Sequence, residues 1–219
     1  MKKRLLCSLA FLAMAVSTVP AHAISLTPAS TVALSVTTVA ARPELAGTVI
    51  VDDMKSFSAT NALGETLYTG QIQIRIVRED VAGTLDFYFR VFNDETSTDA
   101  IERVSHTNFA GWTTDVDWRI DGLGDAAPAK AERSLSGGTV SFTDFKGEGH
   151  GILPGEQSKF YFIKTTATNF KAGSTSILNG GIATVKSYAP AVPEPSSMIL
   201  LGSGLIGLAA WGRKRLNKA

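Results

Sequence analysis

Cysteine is nearly absent. Cys7 is the only one in 219 residues, so the chain can close no internal disulfide and cannot assemble a thiolate metal site. Cys7 itself sits two leucines after Arg4 with its apolar run downstream, which reads as a small apolar residue in a discarded segment and not as a lipid-bearing thiol. Histidine is almost as scarce: only His106 and His150 lie beyond residue 23. The body between residues 24 and 190 has no G-x-S-x-G elbow, no H-E-x-x-H and no phosphate-binding glycine loop, which leaves the common hydrolase, zincin and nucleotide-site patterns without a carrier. Convincing amphipathic helices of more than two turns are missing from it as well.

A dominant charge is also lacking, but the net +1 averages three unlike regions. Lys2, Lys3 and Arg4 open the chain, and Arg213, Lys214, Arg215 and Lys218 close it, with no acid in either group. Residues 24–190 hold fourteen basic against nineteen acidic residues. An acidic body of this kind is repelled by phosphate, which excludes nucleic acid as the expected partner.

Residues 1–23 run from the basic start through an apolar stretch, Leu5 to Val16, to Ser17, Thr18 and Pro20 and then Ala21-His22-Ala23. This is the three-part layout of a cleavable secretory signal peptide, with cleavage expected after Ala23. About 12 apolar residues are too few for a membrane anchor, which needs roughly 20. The other end reads Pro193-Glu194-Pro195, then Met198 to Gly212 without a charge, then Arg213-Lys214-Arg215. The prolines keep Val192 and Glu194 extended. The apolar run makes a short transmembrane helix, about 22 Å long against a hydrocarbon core of ~30 Å. The basic cluster after it stops transfer and stays cytoplasmic by the positive-inside rule.

With that order of parts the C-terminus resembles the PEP-CTERM sorting signal of Gram-negative bacteria. The resemblance implies Pro193, Glu194 and Pro195 as the sorting motif and an exosortase, a membrane-embedded cysteine protease or transpeptidase, as the processing partner. It further implies export across the inner membrane, transient anchoring by the C-terminal helix, and a final place at the cell surface or outside the cell, commonly alongside exopolysaccharide and biofilm production.

Between the two tails, Ile72, Ile74 and Ile76 alternate with Gln71, Gln73 and Arg75. Leu85, Phe87, Phe89 and Val91 alternate with Asp86, Tyr88 and Arg90, and Val116, Trp118 and Ile120 with Asp115, Asp117 and Arg119. A period of two over short runs separated by Gly, Pro, Asn and Asp clusters predicts an all-β antiparallel β-sandwich of about eight or nine strands. Further strands are expected at 31–40, 46–51, 101–109, 138–145, 158–167 and 176–187. The aromatic core is expected from Phe87, Phe89, Trp118, Phe142, Phe160 and Phe162. Tract 24–41 reads as an edge strand or a loose arm. The expected division is signal peptide 1–23, body 24–187, proline-spaced linker 188–197, transmembrane helix 198–212 and basic tail 213–219. Phe109 to Val116, Glu132-Arg133-Ser134, Leu153 to Ser158, Thr165 to Thr168 and Asn179-Gly180-Gly181 also resemble a β-rich module found ahead of PEP-CTERM tails, which implies no catalytic residues. The Leu153-Pro154-Gly155 element suits a type II turn.

The search for chemistry yields little. His106 reads as an exposed or edge histidine and His150 as a turn residue beside Glu148. Asp121 and Asp125, on either side of Gly122 and Gly124, are the calcium candidates, although Asp115 and Asp117 read as outward strand positions and a strand followed by a turn is the preferred reading. Trp112, Tyr68 and Tyr88 could supply a sugar-stacking platform. The sequence therefore predicts a non-enzymatic exported protein with no cofactor, no metal and no catalytic residue. The alternatives are a carbohydrate-binding module, with calcium assistance, and behind it a secreted hydrolase built on two carboxylates.

Overall fold

The computed structural model describes residues 24–38, 40–147 and 149–192. The expected signal peptide, the Pro193-Glu194-Pro195 motif, the apolar run 198–212 expected to form a transmembrane helix and the basic tail with Arg213, Lys214 and Arg215 lie outside the described residues, as does Glu148.

The twelve strands are β1 (Thr31–Ala33), β2 (Val36–Thr37), β3 (Gly47–Thr60), β4 (Thr66–Glu79), β5 (Leu85–Asn93), β6 (Arg103–Thr107), β7 (Thr114–Arg119), β8 (Ala127–Arg133), β9 (Thr139–Lys146), β10 (Tyr161–Thr165), β11 (Asn169–Asn179) and β12 (Gly181–Ala191). They form a front sheet in the order β2-β7-β10-β5-β4-β3 and a back sheet in the order β1-β8-β9-β6-β11-β12. Named pairings are antiparallel except β2 with β7, which run parallel. The described residues are thus all-β, with twelve strands where eight or nine were expected.

The extra strands have identifiable causes. Tract 24–41 places β1 beside β8 and β2 beside β7, one short strand on the edge of each sheet. Strand β8, Ala-Pro-Ala-Lys-Ala-Glu-Arg, has the composition of a helix and a proline, and no period-two pattern announces it. Pro128 is tolerated because β1 reaches only Lys130 to Glu132, leaving that side of the strand without a ladder partner at 128. The run 176–187 contains a reversal at Gly180, whose φ of 59° suits glycine, so it belongs to the hairpin β11–β12 and not to one strand. Strand β12 continues to Ala191, through residues expected to begin the linker.

The main core lies between the sheets. Ile72, Ile74 and Ile76 of β4, Leu85, Phe87, Phe89 and Val91 of β5, Val116 of β7 and Phe142 and Phe145 of β9 all face it and are fully buried. Phe142 and Phe145 are three apart, which strict alternation would place on opposite faces. Asp144, at φ 55°, interrupts the strand between them and turns both inward. Of the aromatics expected in the core, Phe87, Phe89 and Phe142 fill this one, Trp118 packs on it half-buried, and Phe160 and Phe162 belong to a second, smaller cluster on the other side of the front sheet.

The expected turn at Leu153-Pro154-Gly155-Glu156 forms as a type II reversal: Gly155 has φ 84°, and Glu156 N–H donates to Leu153 O at 2.9 Å. Arg133, within a sequence triplet that carried the looser resemblance, is a structural knot. Its Nε donates to Gly137 O (3.0 Å), Nη1 to Leu26 O (2.8 Å) and Thr114 Oγ1 (2.9 Å), and Nη2 to Phe109 O (2.9 Å) and Trp112 O (2.8 Å). The planar fork of a buried guanidinium thereby ties the N-terminal arm, the 109–112 loop and the 134–137 turn together.

Candidate functional site

The outer face of the front sheet carries the densest group of ionisable side chains. After β2, on one edge of that sheet, the chain must reach β3 on the opposite edge, so residues 40–46 cross the outer face as a strap. Arg42 N–H donates to Thr38 O at 2.9 Å, Pro43 to Leu45 make a single 3-10 turn, and Ala46 O accepts from Asp80 N–H at 3.4 Å. Leu45 presses on Val77, Tyr88, Phe160 and Phe162 to make the second cluster. The alternate side chains of β5, β7 and β10, which a half-exposed strand would give to water, are therefore covered.

Register arranges them in rows. Asp115 of β7, Lys164 of β10, Asp86 of β5 and Val77 of β4 stand side by side, and the next row holds Asp117, Phe162, Tyr88 and Arg75. Arg42, only 1% exposed, lies above the first row. Its Nε donates to Glu44 Oε1 at 2.8 Å and its Nη2 to Asp115 Oδ2 at 2.7 Å. Lys164 Nζ forms an ion pair with Glu79 Oε1, and Glu79 is 4% exposed. Guanidinium groups also cover the rings, Arg75 over Phe160 at 5.0 Å and Arg119 over Tyr88 at 5.4 Å from the centroids. A recess of about 270 Å³, lined by Leu45, Gly47, Arg75, Tyr88, Arg119 and Phe160, opens beside the strap.

Burial sets the protonation of this layer. Asp86 is fully buried, and neither of its carboxyl oxygens has a hydrogen-bond partner among the described residues. Desolvation pushes its pKa up to about 8 although Arg42 pulls the other way, so the carboxyl is largely protonated near neutral pH. Asp117 is raised to about 6 by the same cause, against the opposing pull of the Trp118 N–H it accepts at 2.9 Å. Lys164 is lowered by desolvation, with Glu44 opposing.

The residues singled out from the sequence are distributed differently. Asp115 and Asp117 are not outward, solvated positions: the strap covers them, and Asp117 is 2% exposed. His106 is not an edge or exposed residue. It is completely buried in the main core, stacked on Phe89 at 3.6 Å between ring centroids, with Nδ1 2.9 Å from Thr175 Oγ1. Burial pushes its pKa down to about 3, so it packs as a neutral ring. Tyr68 and Tyr88 are buried in separate clusters, and a shared sugar platform with half-exposed Trp112 does not exist. Tyr68 instead donates its hydroxyl to Gly181 O at 2.8 Å. Of the calcium candidates, Asp121 Oδ1 accepts from Leu123 N–H at 3.1 Å and Asp125 Oδ2 from Gln157 N–H at 3.1 Å, both as exposed turn residues. Among the described residues no group of three or more His, Cys, Asp or Glu side chains is placed to hold a metal ion, and no helix is long and apolar enough to cross a membrane. His150 is exposed and lines a separate shallow recess with Asp144 and Arg103.

Sequence reasoning missed Arg42, Glu79, Asp86 and Lys164 as a group. The available signal was the polar half of the alternation in β5, read as solvent-facing because the strap that covers it is far away in sequence.

The body is a two-sheet all-β domain whose last strand, β12, is an edge strand of the back sheet and delivers the chain directly into its C-terminal tail. That tail is recognisable: the PEP-CTERM protein-sorting motif matches residues 191–214, beginning at the final residue of β12. The chain therefore carries a PEP-CTERM sorting signal, which marks it as an exported protein sorted by an exosortase and held at the membrane before processing. No curated protein and no solved structure matches the chain.

Proposed function

We propose that the chain is a non-enzymatic protein of the cell surface or extracellular matrix, released from its membrane tail by an exosortase and retained in an exopolysaccharide-rich or biofilm setting. The observation that carries the reading is the position of the sorting signal. It starts where β12 ends, so a folded body closes before the tail begins and can be handed over whole when the tail is processed. The signal-peptide layout of residues 1–23 supports the same route, and the basic cluster Arg213-Lys214-Arg215 supports an orientation with the body outside.

The test is Glu194→Ala in the native host, with the C-terminus followed by mass spectrometry and the protein followed by fractionation. The expected result is accumulation of unprocessed, membrane-associated chain. Processing at the wild-type rate and position overturns the assignment of Pro193-Glu194-Pro195 as the sorting motif. In the wild-type protein, normal processing combined with no retention in the matrix fraction overturns the matrix role alone.

A further inference from the structure

Three strands of the front sheet bring an amine, a carboxyl group and a protonated acid together in a dry layer. Lys164 on β10 is the direct cross-strand partner of Asp86 on β5, whose other cross-strand partner is Val77 on β4. Glu79 is two residues beyond Val77 on the same face of β4, so it is the diagonal neighbour of Asp86. For the Lys164 amine to meet Glu79, as it does, its side chain must pass over the central strand at Asp86. Leu45, Tyr88 and Phe162 wall the layer, and Glu79 and Asp86 are 4% and 0% exposed. An ordinary exposed ion pair needs none of these features. Asp86 in particular is a buried carboxyl with no hydrogen-bond partner of its own among the described residues, a costly arrangement that an ion pair between the other two does not explain.

We propose that Lys164 Nζ and Glu79 Cδ become joined in an intramolecular isopeptide bond, formed by the folded chain itself with Asp86 as the proton relay. The bond formed is N–C and the bond broken is C–O of the Glu79 carboxyl. The ammonium and carboxylate together yield one amide and one water, so atoms and charge balance without an oxidant or co-reactant. Desolvation favours the uncharged amine, which is the nucleophilic form, over the ammonium, and the proton that Lys164 gives up passes to the Glu79 carboxylate, whose hydroxyl is the group that leaves. The protonated carboxyl of Asp86 hydrogen-bonds the Glu79 oxygen as negative charge develops there, passes its proton to the departing hydroxyl, and recovers one from the attacking nitrogen. The product ties β4 to β10 across β5 by a covalent link, in a chain whose single cysteine allows it no internal disulfide.

The test is peptide mapping of the purified full chain after denaturation and trypsin digestion. The expected result is one species containing both the Glu79 and the Lys164 peptides, lighter than their sum by one water, with no cleavage after Lys164. Lys164→Met and Glu79→Ala each abolish it. Asp86→Ala, which keeps both partners, leaves most of the chain uncoupled. Separate Glu79 and Lys164 peptides from folded wild-type protein, with normal cleavage after Lys164, overturn the proposal even if every variant fails to fold. So does a water loss that maps elsewhere, such as Asp121-Gly122. Coupling at the wild-type level in Asp86→Ala overturns the relay role of Asp86.

Discussion

The two sheets turn similar apolar faces to the core and very different faces outward. On the back sheet the outer positions form hydroxyl pairs, Ser105 with Ser141 at 2.8 Å, Thr107 with Ser174 at 2.9 Å and Ser176 with Thr184 at 3.2 Å. They are flanked by ion pairs open to water, Arg103 with Glu132 and Lys130 with Asp144. On the front sheet the strap 40–46 closes over the equivalent positions, and acids, bases and aromatic rings share a largely buried layer. The same alternation of apolar and polar residues produces both. What differs is whether a remote segment covers the polar side, and that changes a charged pair from a minor surface term into one whose partners depend on each other.

Removing the cation that organises the covered face is the strongest way to break this contrast. Arg42→Ala leaves Asp115 desolvated without its hydrogen-bonded partner, removes the tie between the strap and β7, and leaves Glu44 of the strap without its cation. Truncating one member of a buried pair costs about 3–5 kcal/mol. Urea unfolding should show a loss in that range, and a loss below about 1 kcal/mol would mean that the strap does not seal the face.

That seal is also where the sequence stops being readable. Strand identity was legible wherever a period of two was written in bulky residues, as in Ile72-Ile74-Ile76 and Leu85-Phe87-Phe89-Val91, because one face of each strand really is core. It failed for β8, where Ala129 and Ala131 carry too little apolar bulk to mark a face. It failed for exposure at Asp117 and His106 because burial depends on what packs from outside: residues 40–46 in one case, Thr175 and Phe89 from separate strands in the other. The sorting motif was legible, since its parts are contiguous in sequence: Pro193-Glu194-Pro195, an uncharged run and a basic cluster. The Glu79, Asp86 and Lys164 group combines three strands and could emerge only from register.

The second contrast is in pH. The native pKa of His106 is about 3, below its ordinary 6.5, so in acid the unfolded chain takes up a proton that the native core refuses. Stability from this group is complete above about pH 6.5 and is lost as pH falls toward 3, with a slope of up to about 1.4 kcal/mol per pH unit. Asp117 has the opposite sign. Its native pKa of about 6 lies above its ordinary 3.8, so the native state holds a proton that the unfolded chain has released, and stability falls as pH rises from about 4 to 6. His106→Phe should therefore remove a rise in stability between about pH 3 and 6.5, leaving the opposite slope of Asp117 and Asp86 exposed, and Asp117→Asn should remove a loss of about 1–2 kcal/mol between pH 4 and 6, discounted for partial solvent screening. Both are read from urea midpoints at fixed pH. Because Asp117 and Asp86 slope the other way over the same window, the His106 test is the difference between wild type and His106→Phe, and an identical pH slope in the two would show that His106 is not held neutral by the core.

The smallest effect is expected on the open face. Arg103 and Glu132 approach to 2.8 Å, close to the 2.7 Å of Arg42 with Asp115 in the covered layer, yet their side chains are 40% and 36% exposed. Water already solvates each charge, the long side chains lose entropy in pairing, and salt screens what remains. Arg103→Ala should accordingly cost less than about 1 kcal/mol, and less still at high salt. Because the two pairs have nearly the same geometry, a double comparison of Arg103→Ala with Arg42→Ala isolates burial as the variable. If the two losses were equal, distance and not the strap would be setting the strength of these pairs, and the difference between the outer faces would be one of appearance only.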